Sequence, residues 1–288
     1  MVDRTWQLSD FILEEELGRG TASTVYLAEE KESGFLVALK LVKACDNSVD
    51  SGLHTISQCG RLRHRNINRI LGWFHCTSSS GVFCHCHILE YSPCVDLNKI
   101  LQSRGRLLIK DALAVFRCLL SAVEYMVSEG VFHRDIKAEN VLIPTYGYSA
   151  TEPSFHLAQL TDFGCAVCLG NDASDPGCRP PCASVRGTLD YLSPEVVSGL
   201  PYDPYLADMW ALGVLLFEMV EGHPPFLAPT EAMTVRQIQG GDTLPHSPST
   251  PQEVQQLCRQ MLSLDPASRP SIQAIQAHPA LHMHQDTQ

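Results

Sequence analysis

The sequence predicts an α+β fold in two lobes, the first strand-rich and the second mainly helical. Three observations carry this. Short β-branched and apolar runs broken by glycine fill the first part of the chain. One run, Val82 to Leu89, alternates, with Val82, Cys84, Cys86 and Ile88 on one face and Phe83, His85, His87 and Leu89 on the other. After about Ser92 the apolar residues recur at helical spacing.

Taken in order, Phe11 to Leu17, Thr24 to Glu29 and Phe35 to Val42 read as strands, punctuated by Gly18, Gly20 and Gly34. Leu108 to Ser128 reads as a helix with Leu113, Phe116, Leu120, Val123, Met126 and Val127 at helical spacing. Tyr205 to Glu221, Thr230 to Gln239, Pro251 to Leu264 and Ser271 to His278 follow as helices. The lobe boundary is expected near Glu90 to Asp96. Pro144 to Pro153 and Asn171 to Pro181 are rich in loop formers.

Composition sets limits. The 288 residues carry 21 Lys plus Arg against 32 Asp plus Glu, a formal charge of −11. With 44% apolar and 18% charged residues the chain can bury a core, so wholesale disorder is excluded. The acidic balance argues against direct nucleic-acid binding, which needs a basic footprint. No apolar run reaches the ~18–20 residues of a membrane helix, and the N-terminus has no signal-peptide apolar region. An intracellular protein, in cytoplasm or nucleus and without a membrane anchor, is the expectation. The 12 cysteines then read mostly as reduced thiols.

Four motifs carry chemistry. Leu17-Gly18-Arg19-Gly20, with Ser23 and Val25 beyond, lies between two predicted strands. Glycines there let backbone N–H groups approach phosphates, although alone the pattern equally suits an ordinary hairpin. Val37-Ala38-Leu39-Lys40 puts a lysine at the end of an apolar strand, 15 residues after Val25. His133-Arg134-Asp135-Ile136-Lys137-Ala138-Glu139-Asn140 offers a base, a cation and a metal ligand in one loop. Thr161-Asp162-Phe163-Gly164 adds a second metal carboxylate. This order leaves a coincidental reading negligible.

With these motifs the sequence resembles the eukaryotic protein kinases from about Phe11 to Leu281. Ser193-Pro194-Glu195, Asp208 to Gly213 and Arg269-Pro270 add to the match. Lys137 and the Gly187-Thr188 pair resemble the serine/threonine class. Trp6, Asp10-Phe11 and residues 62–75, 87–93, 187–195 and 212–226 are similar to the Aurora kinases. The ending HPALH lacks the tryptophan usual there.

The resemblance implies a small antiparallel β-sheet N-lobe with one helix and a larger helical C-lobe. The expected layout is an extension over 1–10, a kinase domain over 11–281 and a tail over 282–288. Within the domain, residues 11–90 form the N-lobe, 90–96 a hinge and 97–281 the C-lobe. The implied cofactors are ATP and Mg²⁺. Asp135 would orient the substrate hydroxyl and accept its proton, and Lys137 would neutralise the γ-phosphate. Asn140 and Asp162 would hold Mg²⁺, an ion that suits oxygen ligands. Lys40 would grip the α and β phosphates beneath the loop of Leu17, Gly18, Arg19, Gly20 and Ser23. Backbone groups of Glu90 and Ser92 would bond adenine, Val25, Ala38 and Leu142 would sandwich it, and Asp96 would reach the ribose. Leu89 is the implied gatekeeper, and Glu195 with Arg269 an implied buried ion pair. Ser184 stands where Aurora-like kinases carry an activating phosphosite, with Arg134 to pair it. Protein substrates are implied, with a basic residue upstream of the target favoured by Glu139. A role in mitosis, with spindle or centrosome association, follows by analogy only.

Some features depart from the family. Its helix after the Lys40 strand carries a glutamate nine residues before a histidine, and here that position is Thr55. No Glu occurs between Ser33 and Leu89, and Asp46 and Asp50 lie at least a turn away from that position. Gly52 and Gly60 weaken the same helix by ~1 kcal/mol each. Weakened or partner-assisted catalysis is expected, and a pseudokinase scaffold is the alternative. Cys182-Ala183 replaces the arginines usual before the phosphosite. Tyr146 to Ser154 reads as a surface insertion. Cys165 and Cys168, with Cys178 and Cys182, could suggest zinc, but their spacing favours free thiols.

Overall fold

The computed structural model describes residues 5–20, 23–43, 55–77, 81–146, 152–170 and 179–283. The chain divides into two compact units, Met1–Ser92 and Pro93–Gln288. The first is built on five antiparallel strands, β1 (Phe11–Arg19), β2 (Ser23–Glu30), β3 (Leu36–Lys43), β4 (Ile70–Thr77) and β5 (Phe83–Glu90), in the order β1-β2-β3-β5-β4.

Alternation along these strands gives the sheet two different faces. Ala28, Val37, Leu39, Cys86, Ile88 and Phe74 cluster on one face with Phe11. The chain before β1 covers this cluster, because Trp6 stacks on Phe11 at 5.4 Å and Phe11 on Phe74 at 5.9 Å. Each such fully buried apolar side chain contributes roughly 1.5–3 kcal/mol. β4 escaped the reading of strands from sequence. Its run is interrupted at Gly72, where the register with β5 shifts. A Cβ at Gly72 would come within 3.0 Å of Trp6 Nε1, so glycine keeps the space that the indole occupies.

Residues 55–59 are helical, with Ile56 and Cys59 buried and Thr55 half-buried. The turn closes as Gly60 N–H donates to Ile56 O at 2.8 Å. Asp46, Asp50 and Gly52 lie outside the described residues.

The second unit begins with β6 (Cys94–Asp96), α1 (Leu97–Arg104) and α2 (Ile109–Ser128). β7 (Val131–Phe132), β8 (Val141–Tyr146), β9 (Glu152–Pro153), β10 (Gln159–Leu160) and β11 (Val167–Cys168) make short antiparallel pairs beside them. Tyr146 pairs with Glu152 and Thr145 with Pro153, so the ends of the insertion extend a hairpin. Its residues 147–151 lie outside the described residues.

Helices α3 (Pro194–Val197), α4 (Pro204–Glu221), α5 (Glu231–Gly240), α6 (Gln252–Met261) and α7 (Ile272–Gln276) complete the unit. The sequence pattern overran α6 and α7 by one to three residues at each end where the backbone turns out of the helix. α4 is buried on nearly all sides and packs against α2 and α6. It ends at Gly222 (φ 84°), where a Cβ would fall 2.3 Å from Gly105 O. A left-handed, crowded position of this kind admits glycine alone.

Glu195 and Arg269 form a two-pronged pair at 2.7 and 2.8 Å. Arg269 also donates to Ser263 O and Leu206 O and lies over the Trp210 ring at 5.0 Å. Burial would raise the Glu195 pKa, but bonding and attraction from Arg269 bring it below the ordinary value. Because the folded pKa is depressed, this stabilisation is present above the unfolded carboxylate range. It is lost as pH falls through the folded value. Arg269→Ala should cost about 3–5 kcal/mol in chemical denaturation, since it leaves a buried carboxylate unpaired. The stability gap between wild type and Glu195→Gln should narrow as melts move from pH 7 toward pH 4.

Candidate active site

The loop joining β7 to β8 is held from below by one carboxylate. Asp208, 1% exposed in α4, accepts from the backbone N–H groups of His133 and Arg134, both at 2.8 Å. Burial pushes the Asp208 pKa up to about 7, although these two donors work the other way. His133 is buried, edge-on to Phe163 at 5.1 Å, with Nε2 at 3.0 Å from Thr161 O. Desolvation lowers its pKa, so the ring is a neutral bracket. Arg134 takes φ 63°, one of two positive-φ non-glycine residues among those described. Such a conformation costs of order 1–3 kcal/mol and persists only when its surroundings fix it.

Beyond this turn the expected residues converge. Asp135 Oδ1 accepts from the Thr188 hydroxyl at 3.0 Å. Asp135 Oδ2 accepts from Asn140 Nδ2 at 3.1 Å and pairs with Lys137 Nζ at 3.2 Å. Lys137 Nζ also donates to Thr188 Oγ1 at 2.6 Å, and Asn140 Nδ2 to Asp135 O at 2.8 Å. A carboxylate offers about four acceptor sites, so three donors leave about one for a further hydroxyl. Gly187 (φ 110°) makes the approach of Thr188 feasible, because a Cβ there would lie 2.6 Å from Arg134 O.

Asp162 is the other positive-φ residue (φ 64°), and its side chain accepts from Gly164 N–H at 3.2 Å. Thr161 N–H donates to Asn140 O at 2.9 Å, which ties the strand before Asp162 to Asn140. With Asn140 Nδ2 turned to Asp135, its amide oxygen and the Asp162 carboxylate form an all-oxygen donor set. That chemistry fits Mg²⁺.

Arg134 turns away from Asp135. Its Nε donates to Cys165 O at 2.7 Å and its Nη1 to Ser184 Oγ at 3.1 Å. The Tyr202 hydroxyl donates to Ser184 O at 3.0 Å, and Cys182 bridges to Tyr202. Arg179 secures the same segment, bound to Asp203 at 3.0 Å with its guanidinium 4.4 Å from the Tyr205 ring centre.

In the first unit, Gly18 pairs with Val25 and Arg19 with Thr24, and Gly20 N–H donates to Ser23 O at 2.8 Å. Leu17 lies in the same strand, and Arg19 is forked onto Glu16. Residues 21–22 of this turn lie outside the described residues. Val25 pairs with Lys40 and Ala38 with Leu89, so Val25, Ala38, Lys40 and Leu89 share the face opposite the Trp6 cluster. Glu90 N–H is engaged by Arg69 O at 2.9 Å. Its carbonyl accepts Asn68 Nδ2 at 3.2 Å, and a second lone pair is left for a ligand. Ser92 ends this unit.

In the second unit, Leu142 lies directly opposite Asp96 across β8 and β6. Asp96 has a structural task as well: it caps α1 through Lys99 N–H at 2.8 Å and pairs with Lys99 Nζ at 3.0 Å. Cys165, Cys168 and Cys182 take part in no disulfide. No group of three metal-binding side chains occurs among the described residues, and Cys178 lies outside them.

Sequence reasoning missed the joining role of Thr188, whose partners are about fifty residues distant in the chain. It also missed Asp208 as the clamp and Tyr191, whose hydroxyl bonds Glu218 and accepts from Ala138 N–H. The available signal was the presence of Asp208 and Glu218 inside a mostly apolar helix.

The protein kinase domain family matches residues 11–281. Aurora kinase C of Mus musculus is 32% identical over 96% of this chain and 93% of its own length. The Aurora kinase of Yarrowia lipolytica is 32% identical over 96% of this chain and 69% of its own length. Aurora kinase A-A of Xenopus laevis is also 32% identical over 96% of this chain, which spans 63% of that protein. At this identity and coverage the chain belongs to the protein kinase family and, within it, to the Aurora-like kinases.

Proposed function

We propose that this protein is a serine/threonine kinase that moves the γ-phosphoryl group of ATP to protein hydroxyls, with weakened intrinsic activity. The observation that carries this is the Asp135–Lys137–Thr188–Asn140 network. Three donors fix the Asp135 carboxylate, so it can orient a substrate hydroxyl and take its proton without reorganising. Lys137, already poised between Asp135 and Thr188, supplies positive charge where the transferring phosphoryl group gains negative charge. Asn140 and Asp162 would hold Mg²⁺, and Lys40 the α and β phosphates. Mg²⁺, when bound, neutralises charge on the phosphate oxygens. Leu17 to Ser23, Val25, Ala38, Glu90, Ser92, Asp96 and Leu142 would serve the nucleotide as in the family.

Thr55 supports the reduced activity, since a hydroxyl cannot give Lys40 the ion pair that a glutamate would. It also supports a second reading, a scaffold without turnover that works through partners. An activating partner fits either case. Asp190, Glu218 and Glu139 gather around Tyr191. Burial and these neighbouring charges push Glu218 up to about 7, and burial also raises Asp190. That acidic setting favours peptides with an upstream basic residue. A phosphate on Ser184 would replace a neutral acceptor of the Arg134 guanidinium by a negatively charged one and make the bond an ion pair. Action in cell division, at spindle or centrosome, follows the family.

Purified wild type with Mg-ATP and a basic peptide should incorporate phosphate, and Asp135→Asn should lose roughly 10²–10⁴-fold. Equal background incorporation in both favours the scaffold. Thr55→Glu should raise turnover, read as kcat with KM for ATP. Ser184→Ala should lower the activity of protein isolated from cells, with mass spectrometry reporting phosphate at Ser184 in the wild type.

A further inference from the structure

The alternation of Cys84, His85, Cys86 and His87 along β5 prevents these four from meeting on one ion. The strand beside it changes the picture. His75 in β4 is the direct partner of His85 in β5, and the two Nδ1 atoms lie 3.1 Å apart. At that spacing one nitrogen donates and the other accepts, so at least one ring is neutral. Two nitrogen ligands each about 2.0–2.1 Å from an ion, at angles from square to tetrahedral, lie about 2.9–3.4 Å apart. The observed separation falls inside that range.

Apart from the bond between the two Nδ1 atoms, ring contacts hold the side chains in place. His75 stacks on Phe83 at 5.3 Å and meets the Trp73 edge at 5.5 Å. His85 meets Phe83 edge-on at 5.8 Å. β4 carries no Lys, Arg, Asp or Glu, and β5 carries none before Glu90, so the near cation on this face is Lys40 of β3, one rung away. His75 is exposed, which leaves access for the ion and for water.

We propose that His75 and His85 form a site for a late first-row divalent cation such as Zn²⁺, Cu²⁺ or Ni²⁺, the ions that imidazole suits. Water supplies the remaining ligands, since no third metal-binding side chain joins the pair among the described residues. The bound ion bridges β4 to β5 on the same sheet face as Lys40. His87 pairs with Lys40 and His85 with Val42, so the site is one rung along from the lysine. The strand it braces ends in Leu89 and Glu90. This inference does not depend on catalysis.

The test is calorimetric titration of the full chain with Ni²⁺, which avoids copper oxidation of the thiols. Wild type should bind one ion. His85→Ala and His75→Phe should each weaken binding at least ~10-fold, with circular dichroism unchanged. The phenyl ring keeps the stack and removes the nitrogen, and His156→Ala serves as a control that keeps wild-type affinity. Ni²⁺ at about 100 times its Kd should raise the melting temperature of the wild type by on the order of 5 °C. The rise should be absent in His75→Phe at the same concentration. Equal affinity in wild type and both variants, or no binding by wild type at millimolar Ni²⁺, overturns the site.

Discussion

The catalytic loop depends on a buried carboxylate. Asp208 has only two backbone N–H groups to satisfy it in the bonds described above, and those groups flank the turn at Arg134. Without them the positive φ of Arg134 would relax toward a commoner conformation. With them, successive side chains point to different tasks. Asp135 meets Thr188, Lys137 and Asn140, while Arg134 reaches Cys165 and Ser184. One strained residue therefore sends Asp135 one way and the side chain that holds Ser184 the other, and joins both to α4. The helix can serve as this anchor because apolar packing surrounds it almost completely.

Much of this was legible in the chain. Apolar, β-branched runs broken by glycine predicted β1, β2 and β3, alternation predicted β5, and apolar residues at helical spacing predicted the long helices. Motif order placed Lys40, Asp135, Lys137, Asn140 and Asp162. Contacts set by distant residues were hidden. β4 has a glycine where a strand former is expected, and its reason is Trp6, more than sixty residues earlier. In the sequence Thr188 is only a mark of the serine/threonine class, and its contacts with Asp135 and Lys137 depend on the close approach of Gly187 to Arg134 O. His75 and His85 belong to stretches read for other reasons, and only the pairing register makes them neighbours.

The two units also differ in how completely their polar groups are engaged. The second presents a connected set of donors around Asp135, where each atom has an assigned partner. In the first, the backbone N–H of Glu90 is already bound to Arg69, and Thr55 stands at the glutamate position. The acidic excess of the chain is not spread without effect either. Part of it collects around Tyr191, where burial and mutual repulsion hold carboxyl pKa values high.

The fit of Trp6 over Gly72 has an evolutionary consequence. A Cβ at residue 72 would crowd the indole, which would have to give by a few tenths of an ångström. A lineage that lost the tryptophan would leave residue 72 free to acquire a strand-forming residue, whereas one that kept it would favour glycine there. These two positions, far apart in sequence, should vary as a pair.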